Sequence, residues 1–311
     1  MITIDLINAR KVFDNEVSYQ IQQAVHKSSK TEKENIIKEM DRKVKHTDAT
    51  IHYGLKAIEE LELNESIKDF IHLALLDHDI GCFAQMRYTG SYKDYILEKA
   101  MKINNHGQLG DYRLEEIINE QLPNAQVFHS SVRTIVKEHV DKNIDQEDLY
   151  ILTNSILKNY SMEEIIKNKN KVKKDVLNSI IQLIQDQDKL ESIYQILSEN
   201  YDPFISKSNI DPKVYEMFYN GEYLNIKNLK KRNLWNSSVI ELVRLSIFNQ
   251  IKLLSVAKVI QKENLIMKLK EHRNNPKLDD AYYYMNERFN KMIENTEDNI
   301  TLGKVKWIWQ I

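Results

Sequence analysis

Glycine and proline are scarce: seven and four residues in a chain of 311, against roughly 12% for the two together in an average protein. Sheet-rich folds build their many turns from those residues, so an all-β sandwich or barrel is nearly ruled out. Cysteine is nearly absent. Cys82 stands alone, which rules out an intrachain disulfide and a thiolate zinc cage and makes the cytoplasm the expected compartment. Excess charge of one sign is missing too, with 46 acidic against 44 basic residues. Without a bulk positive field, broad contact with nucleic acid or an anionic membrane is not expected. Nowhere do ~18 apolar residues run together, and Asp5 interrupts the short apolar stretch near the start, so neither a membrane span nor a secretory leader is expected.

What the chain has in abundance is helical spacing. Ile36, Met40, Val44, Ile51, Leu55 and Ile58 recur at the steps of a 3.6-residue period. Asn64 is placed to cap a second helix through Ile67, Ile71, Ala74 and Leu75, with Gly81 as its stop. Residues 82 to 105 show no sustained periodicity and read as a long loop, of a length that is usually functional or disordered. Helices are predicted over about 108 to 121, 124 to 140 and 146 to 159. Ser161 and Glu164 form a capping box for the next, followed by a long helix from about 172 to 199. A Pro and Gly cluster between 200 and 222 suggests a boundary, giving a core over 1–200 and a helical extension packed on it over 201–311. Asn236 or Ser237 is placed to cap a single buried helix reaching to about 272. Val305, Trp307, Trp309 and Ile311 alternate with period two, which suits docking on the body or a homo-oligomer contact. The predicted class is all-α.

The informative residues are polar ones on apolar stripes. His78 lies four residues after Ala74 and seven after Ile71, and Asp79 follows it. His139 follows Phe128, Val132, Ile135 and Val136 at the same kind of spacing. Asp188 follows Leu177, Ile181 and Ile184, whereas Asp186 is turned about 160° from it and away from that stripe. A buried carboxylate demands a cation, a hydrogen-bond network or a metal. Each residue alone fits an ordinary core role. Together they form the mixed nitrogen and oxygen set that suits Mn, Fe, Zn or Mg in a helical bundle.

The segment Leu75-Leu76-Asp77-His78-Asp79-Ile80-Gly81 resembles the HD superfamily of metal-dependent phosphohydrolases, whose pattern is H, then HD, then a distant D. His46 stands 32 residues before His78, and Gln185-Asp186-Gln187-Asp188-Lys189-Leu190 is similar to the family's closing Asp-Ala-Asp-Lys-Leu run. The resemblance covers roughly residues 30 to 200 and implies an HD-domain helical bundle with additional C-terminal helices. It implies His46, His78, Asp79 and Asp188 as ligands of one divalent cation (Mn, Fe, Ni, Co, Mg or Zn), although His46 falls about 130° off its helix's apolar stripe, which a helix break or a second buried face would reconcile. Asp79 would also orient water, and His106 or His139 would move a proton, hold a second ion, contact phosphate or serve a structural role.

Where many members of that family carry Arg or Lys after His-Asp-Ile-Gly, this chain has Cys82. The phosphate-facing cation must then come from elsewhere, with Lys189, Arg87, Arg113 and Arg133 as candidates. Val140 follows His139, so the His-His-Glu of the cyclic-dinucleotide phosphodiesterase branch is missing. The expected activity is hydrolysis of a phosphoester or phosphoanhydride in a nucleotide or related small phosphorylated substrate. Two alternatives stand beside it: an HD-type nuclease on single-stranded nucleic acid, using basic runs such as Lys167 to Lys174 and Lys227 to Arg232, and a non-catalytic HD sensor.

Overall fold

The structure, a computed structural model, describes residues 2–26, 28–59, 61, 63–144, 158–167, 171–198, 209–236, 239–273 and 275–301. Every regular element among them is a helix, so the fold is all-α. The predicted helix at 146–159 falls almost wholly outside the described residues, as do Ser237 and the alternating residues Val305 to Ile311. The chain divides into two compact units, one up to Gln185 and one from Asp186. None of the helices is long and apolar enough to cross a membrane, among the described residues.

In the first unit, α1 (Leu6–His26) and α2 (Lys30–Glu59) pack on α3 (Glu65–Asp77). Asn64 caps α3 as predicted, its side chain accepting from the Ser66 amide at 3.0 Å. Ile67, Phe70, Ile71 and every residue from Leu73 to Asp77 are buried. A helix covered on so many sides is central, and α3 is the one that delivers His78.

Gly81 does not stop this helix. The chain turns at His78 and Asp79 and immediately enters α4 (Ile80–Thr89), with Gly81 in its first turn. The region read as a loop is in fact α4 and α5 (Asp94–Met101). Residues Ile80 to Met86 are all buried, so α4 has no polar face and shows no amphipathic period to find. Ala84, Leu97 and Leu109 form a small cluster between α4, α5 and α6 (His106–Gln121), with Met101 and Ile103 against it.

Gly81 has a different reason to be glycine. A Cβ there would stand 2.0 Å from the His106 carbonyl oxygen and 2.5 Å from the Gly110 nitrogen. The α4–α6 crossing is therefore set by backbone touching backbone. Next, α6 packs on α7 (His129–Glu138), whose last residue precedes His139. Ser161 and Glu164 form the predicted box at the start of α8 (Met162–Lys167), the Ser161 amide donating to Glu164 Oε2 at 2.7 Å. The long helix α9 runs unbroken over Lys171–Ser198.

In the second unit, Asp211 and Asn225 cap α10 (Pro212–Tyr219) and α11 (Ile226–Lys231), the latter carrying most of the second basic run. The single helix expected to reach about 272 is divided into α12 (Val239–Ser246), a 3₁₀ turn at Ile247–Gln250, α13 (Leu254–Lys262) and α14 (Leu265–Arg273). The amides of Lys252 and Leu253 donate to Asp186 Oδ2 at 3.0 and 2.9 Å instead of continuing a helix. Asn264, at φ 52°, makes the second break. Asp186 is thus buried rather than turned to solvent. Helix α15 (Asp279–Thr301) packs on α12, α13 and α14.

Candidate metal centre

Three segments supply the site. On α2, which has no break, the buried face keeps only Met40 and Ile58 of the apolar stripe and is otherwise a polar and small one through His46, Thr47, Thr50, Gly54 and Ala57. This second face brings His46 inward, while Val44, Ile51 and Leu55 are only half-buried. His78 and Asp79 form the elbow between α3 and α4, and both are buried. Asp79 occupies the N-cap position of α4 yet makes no side-chain capping bond. Its carboxylate is directed to the cluster instead. Asp188 lies on α9 one turn past Gln185, whose side-chain amide donates to the carbonyls of His139 and Lys142 at 2.9 Å each.

One ligand atom each from His46, His78, Asp79 and Asp188 lies within 4.8 Å of the others. Asp79 is the hub. Its Oδ2 is 3.0 Å from His46 Nε2 and 3.1 Å from His78 Nε2, and it also receives the Lys43 ammonium. Its Oδ1 faces His106 Nε2 at 3.3 Å, the Cys82 sulfur at 3.2 Å and His139 Nε2 at 4.0 Å. Asp79, Cys82 and His106 form a second convergent group. Imidazole pairs 46–78, 78–139 and 106–139 have ring centres 5.6, 5.5 and 5.2 Å apart.

Backbone carbonyls fix two of these rings. His78 Nδ1 lies 2.7 Å from the Leu75 oxygen, and His139 Nδ1 lies 2.7 Å from the Val136 oxygen. A carbonyl can only accept, so each Nδ1 carries the hydrogen and each neutral ring presents a lone pair at Nε2. For His78 that lone pair meets a carboxylate oxygen at 3.1 Å, an arrangement that requires a cation between them or a proton on the ring. A buried histidine held at one nitrogen by the backbone and aimed at a carboxylate with the other is the donor geometry a metal uses. The His46, His78, Asp79 and Asp188 cluster could therefore hold a metal ion.

The electrostatics agree. Burial by itself would raise the Asp79 carboxyl, but the Lys43 charge, His78 and the hydrogen bond from His46 outweigh it and hold the group well below the usual carboxylate range. Burial, with Asp79 adding to it, pushes the Cys82 thiol well up. Asp94 is lowered despite burial because it receives both the ring and the amide of His106, at 3.2 and 3.1 Å.

Each of the four cations expected to face phosphate has a partner within the protein. Arg113 is bound by both oxygens of Glu16 at 2.8 and 3.1 Å, and Arg133 by Asp111 and Glu115 at 2.6 and 3.0 Å. Arg87 donates to Gln20 and lies over the rings of Tyr19 and Tyr88. Lys189 pairs with Asp186 at 3.3 Å. Sequence reasoning missed Lys43 and Asp94. Lys43 had a readable signal, since it precedes His46 by three residues and so shares its helix face; Asp94 sat in the stretch taken for a loop.

Asp77, beside the site, is buried with one oxygen accepting from Gln121 at 2.8 Å. Burial, only partly offset by that bond and by His78, pushes its pKa up to about 7. The folded form therefore keeps a proton that the unfolded chain releases near pH 4, so stability falls as pH rises from about 4 to about 7. The full change is about 4 kcal/mol. Asp77→Asn is neutral at every pH and should flatten this part of the profile, which urea titrations of metal-free protein at pH 5 and pH 8 would measure. A variant as pH-sensitive as the parent would contradict the assignment.

Comparison with protein-family models, curated proteins and solved structures gives no match.

Proposed function

We propose that the protein is a metal-dependent phosphohydrolase of the HD type, acting on a phosphoester or phosphoanhydride of a nucleotide or similar small phosphorylated molecule. The observation that carries this reading is the convergence of His46, His78, Asp79 and Asp188 from three remote segments within one coordination sphere. His46, His78, Asp79 and Asp188 would hold the ion. When bound, a divalent ion would supply acidity to water and a positive field at the phosphoryl group.

The chain's own residues divide the remaining work. Asp79 uses one oxygen for the ligand cluster and turns the other to His106, where it can orient a water. His106 lies between Asp94 and Asp79. Asp94 fixes its ring, and an imidazole so held can pass a proton to a leaving oxygen. His139, held by Val136, adds a second Nε2 on that side. The burial of His78, Asp79 and His139 excludes bulk water from these groups.

Protein stripped with a chelator should release no phosphate from a panel of nucleotides, and Mn, Co, Ni, Fe or Mg should restore release. Hydrolysis indifferent to chelation, or no hydrolysis with any metal and substrate, would refute the proposal.

A further inference from the structure

The ligand cluster contains a residue that a metal centre does not need. Lys43 lies on α2 one turn before His46, and its ammonium sits on Asp79 Oδ2, the oxygen that His46 and His78 also approach. A dication held by those residues would claim the same oxygen and repel the ammonium at short range. Asp79 is almost wholly buried, whereas 17% of the Lys43 side chain is exposed, so its flexible four-carbon stem has a route outward. Buried Met40, His46 and Thr47 hold the helix on either side, so the movement is confined to the side chain. Arg87, Arg113, Arg133 and Lys189 are bound elsewhere, and the position after Gly81 is Cys82.

We propose that Lys43 is an internal counter-cation that occupies Asp79 when the site is empty, yields it to a divalent ion, and then binds the phosphate group of the substrate. The inference rests on the metal-site reading above but not on any particular reaction. It accounts for how four imidazoles and a buried carboxylate stay ordered before an ion arrives, and for the source of substrate-facing charge. The bound ion with Lys43 would outweigh the two ligand carboxylates, Asp79 and Asp188, and so present positive charge to a phosphate group.

The test uses chelator-stripped protein titrated calorimetrically with Mn²⁺, followed by inorganic phosphate titrated into the Mn²⁺-loaded form. Lys43→Met keeps the aliphatic stem and removes the charge; Lys43→Arg keeps the charge; Lys43→Gln replaces the first variant if it does not fold. The neutral variant should bind Mn²⁺ at least tenfold more tightly, melt several degrees lower when metal-free, and bind phosphate at least tenfold more weakly when loaded. The arginine variant should stay near the parent in all three. A folded neutral variant with unchanged or weaker Mn²⁺ affinity, or with unchanged phosphate affinity, would overturn the role of Lys43. Failure of the parent and every variant to bind Mn²⁺ or Zn²⁺ would instead remove the metal site itself.

Discussion

Gly81→Ala is expected to destabilise the protein by more than about 3 kcal/mol, at or beyond the upper end of ordinary overpacking. The new methyl carbon would stand 2.0 Å from the His106 carbonyl oxygen and 2.5 Å from the Gly110 nitrogen. Both are backbone atoms, so no rotamer change relieves the clash. The helices α4 and α6 must separate, and His106, whose carbonyl is struck, carries its ring away from Asp79 as they do. For a unit of this size the loss corresponds to a melting temperature lower by about 10 °C. Gly90→Ala provides the control. Nothing lies within 4 Å of a Cβ there, and only its φ of 65° opposes a side chain, so the cost should stay near 1 kcal/mol. Equal melting temperatures for the two variants would show that the α4–α6 contact is looser than described.

The contrast between these glycines shows what could be read from the chain and what could not. Local signals were legible: the Asn64 cap, the Ser161 box, the apolar stripe of α9 and the inward His78 and His139 all depend on neighbours within a few turns. The identity of α4 was not, because a helix buried on every side loses the polar face that makes periodicity visible. The inward turn of His46 was hidden for a related reason. Beside Met40 and Ile58, the buried face of α2 around His46 is built from Thr47, Thr50, Gly54 and Ala57, small residues that let neighbours approach but form no strong apolar stripe. Tertiary contacts decided the rest. Asp186 was assigned outward from its own helix alone, but it is paired by the amides of Lys252 and Leu253, more than 60 residues away. Arg113 and Arg133 are paired with Glu16 and Asp111, which no local pattern connects to them.

Asp79→Asn is expected to abolish both divalent-ion binding and phosphate release, by at least about a thousandfold in rate if the proposed chemistry holds. Among the described residues Asp79 is the one member shared by both convergent groups of possible ligands, so its charge is the common element of the site. The amide is nearly isosteric and can keep one acceptor oxygen, which separates loss of charge from loss of shape. Removing the charge also takes from the Lys43 ammonium the carboxylate it contacts at Asp79; breaking such a pair costs about 3–5 kcal/mol when buried, and the partial exposure of Lys43 lowers that to about 2 kcal/mol. Lys43→Met in the same molecule should recover part of this stability without recovering ion binding, because it removes the ammonium that faced the Asp79 charge but does not restore the missing ligand. Elemental analysis, melting curves and phosphate assays on the two single variants and the double variant measure all three quantities. Full metal content and undiminished phosphate release in Asp79→Asn would place the chemistry at another site, while additive stabilities in the double variant would show that Lys43 and Asp79 are not coupled.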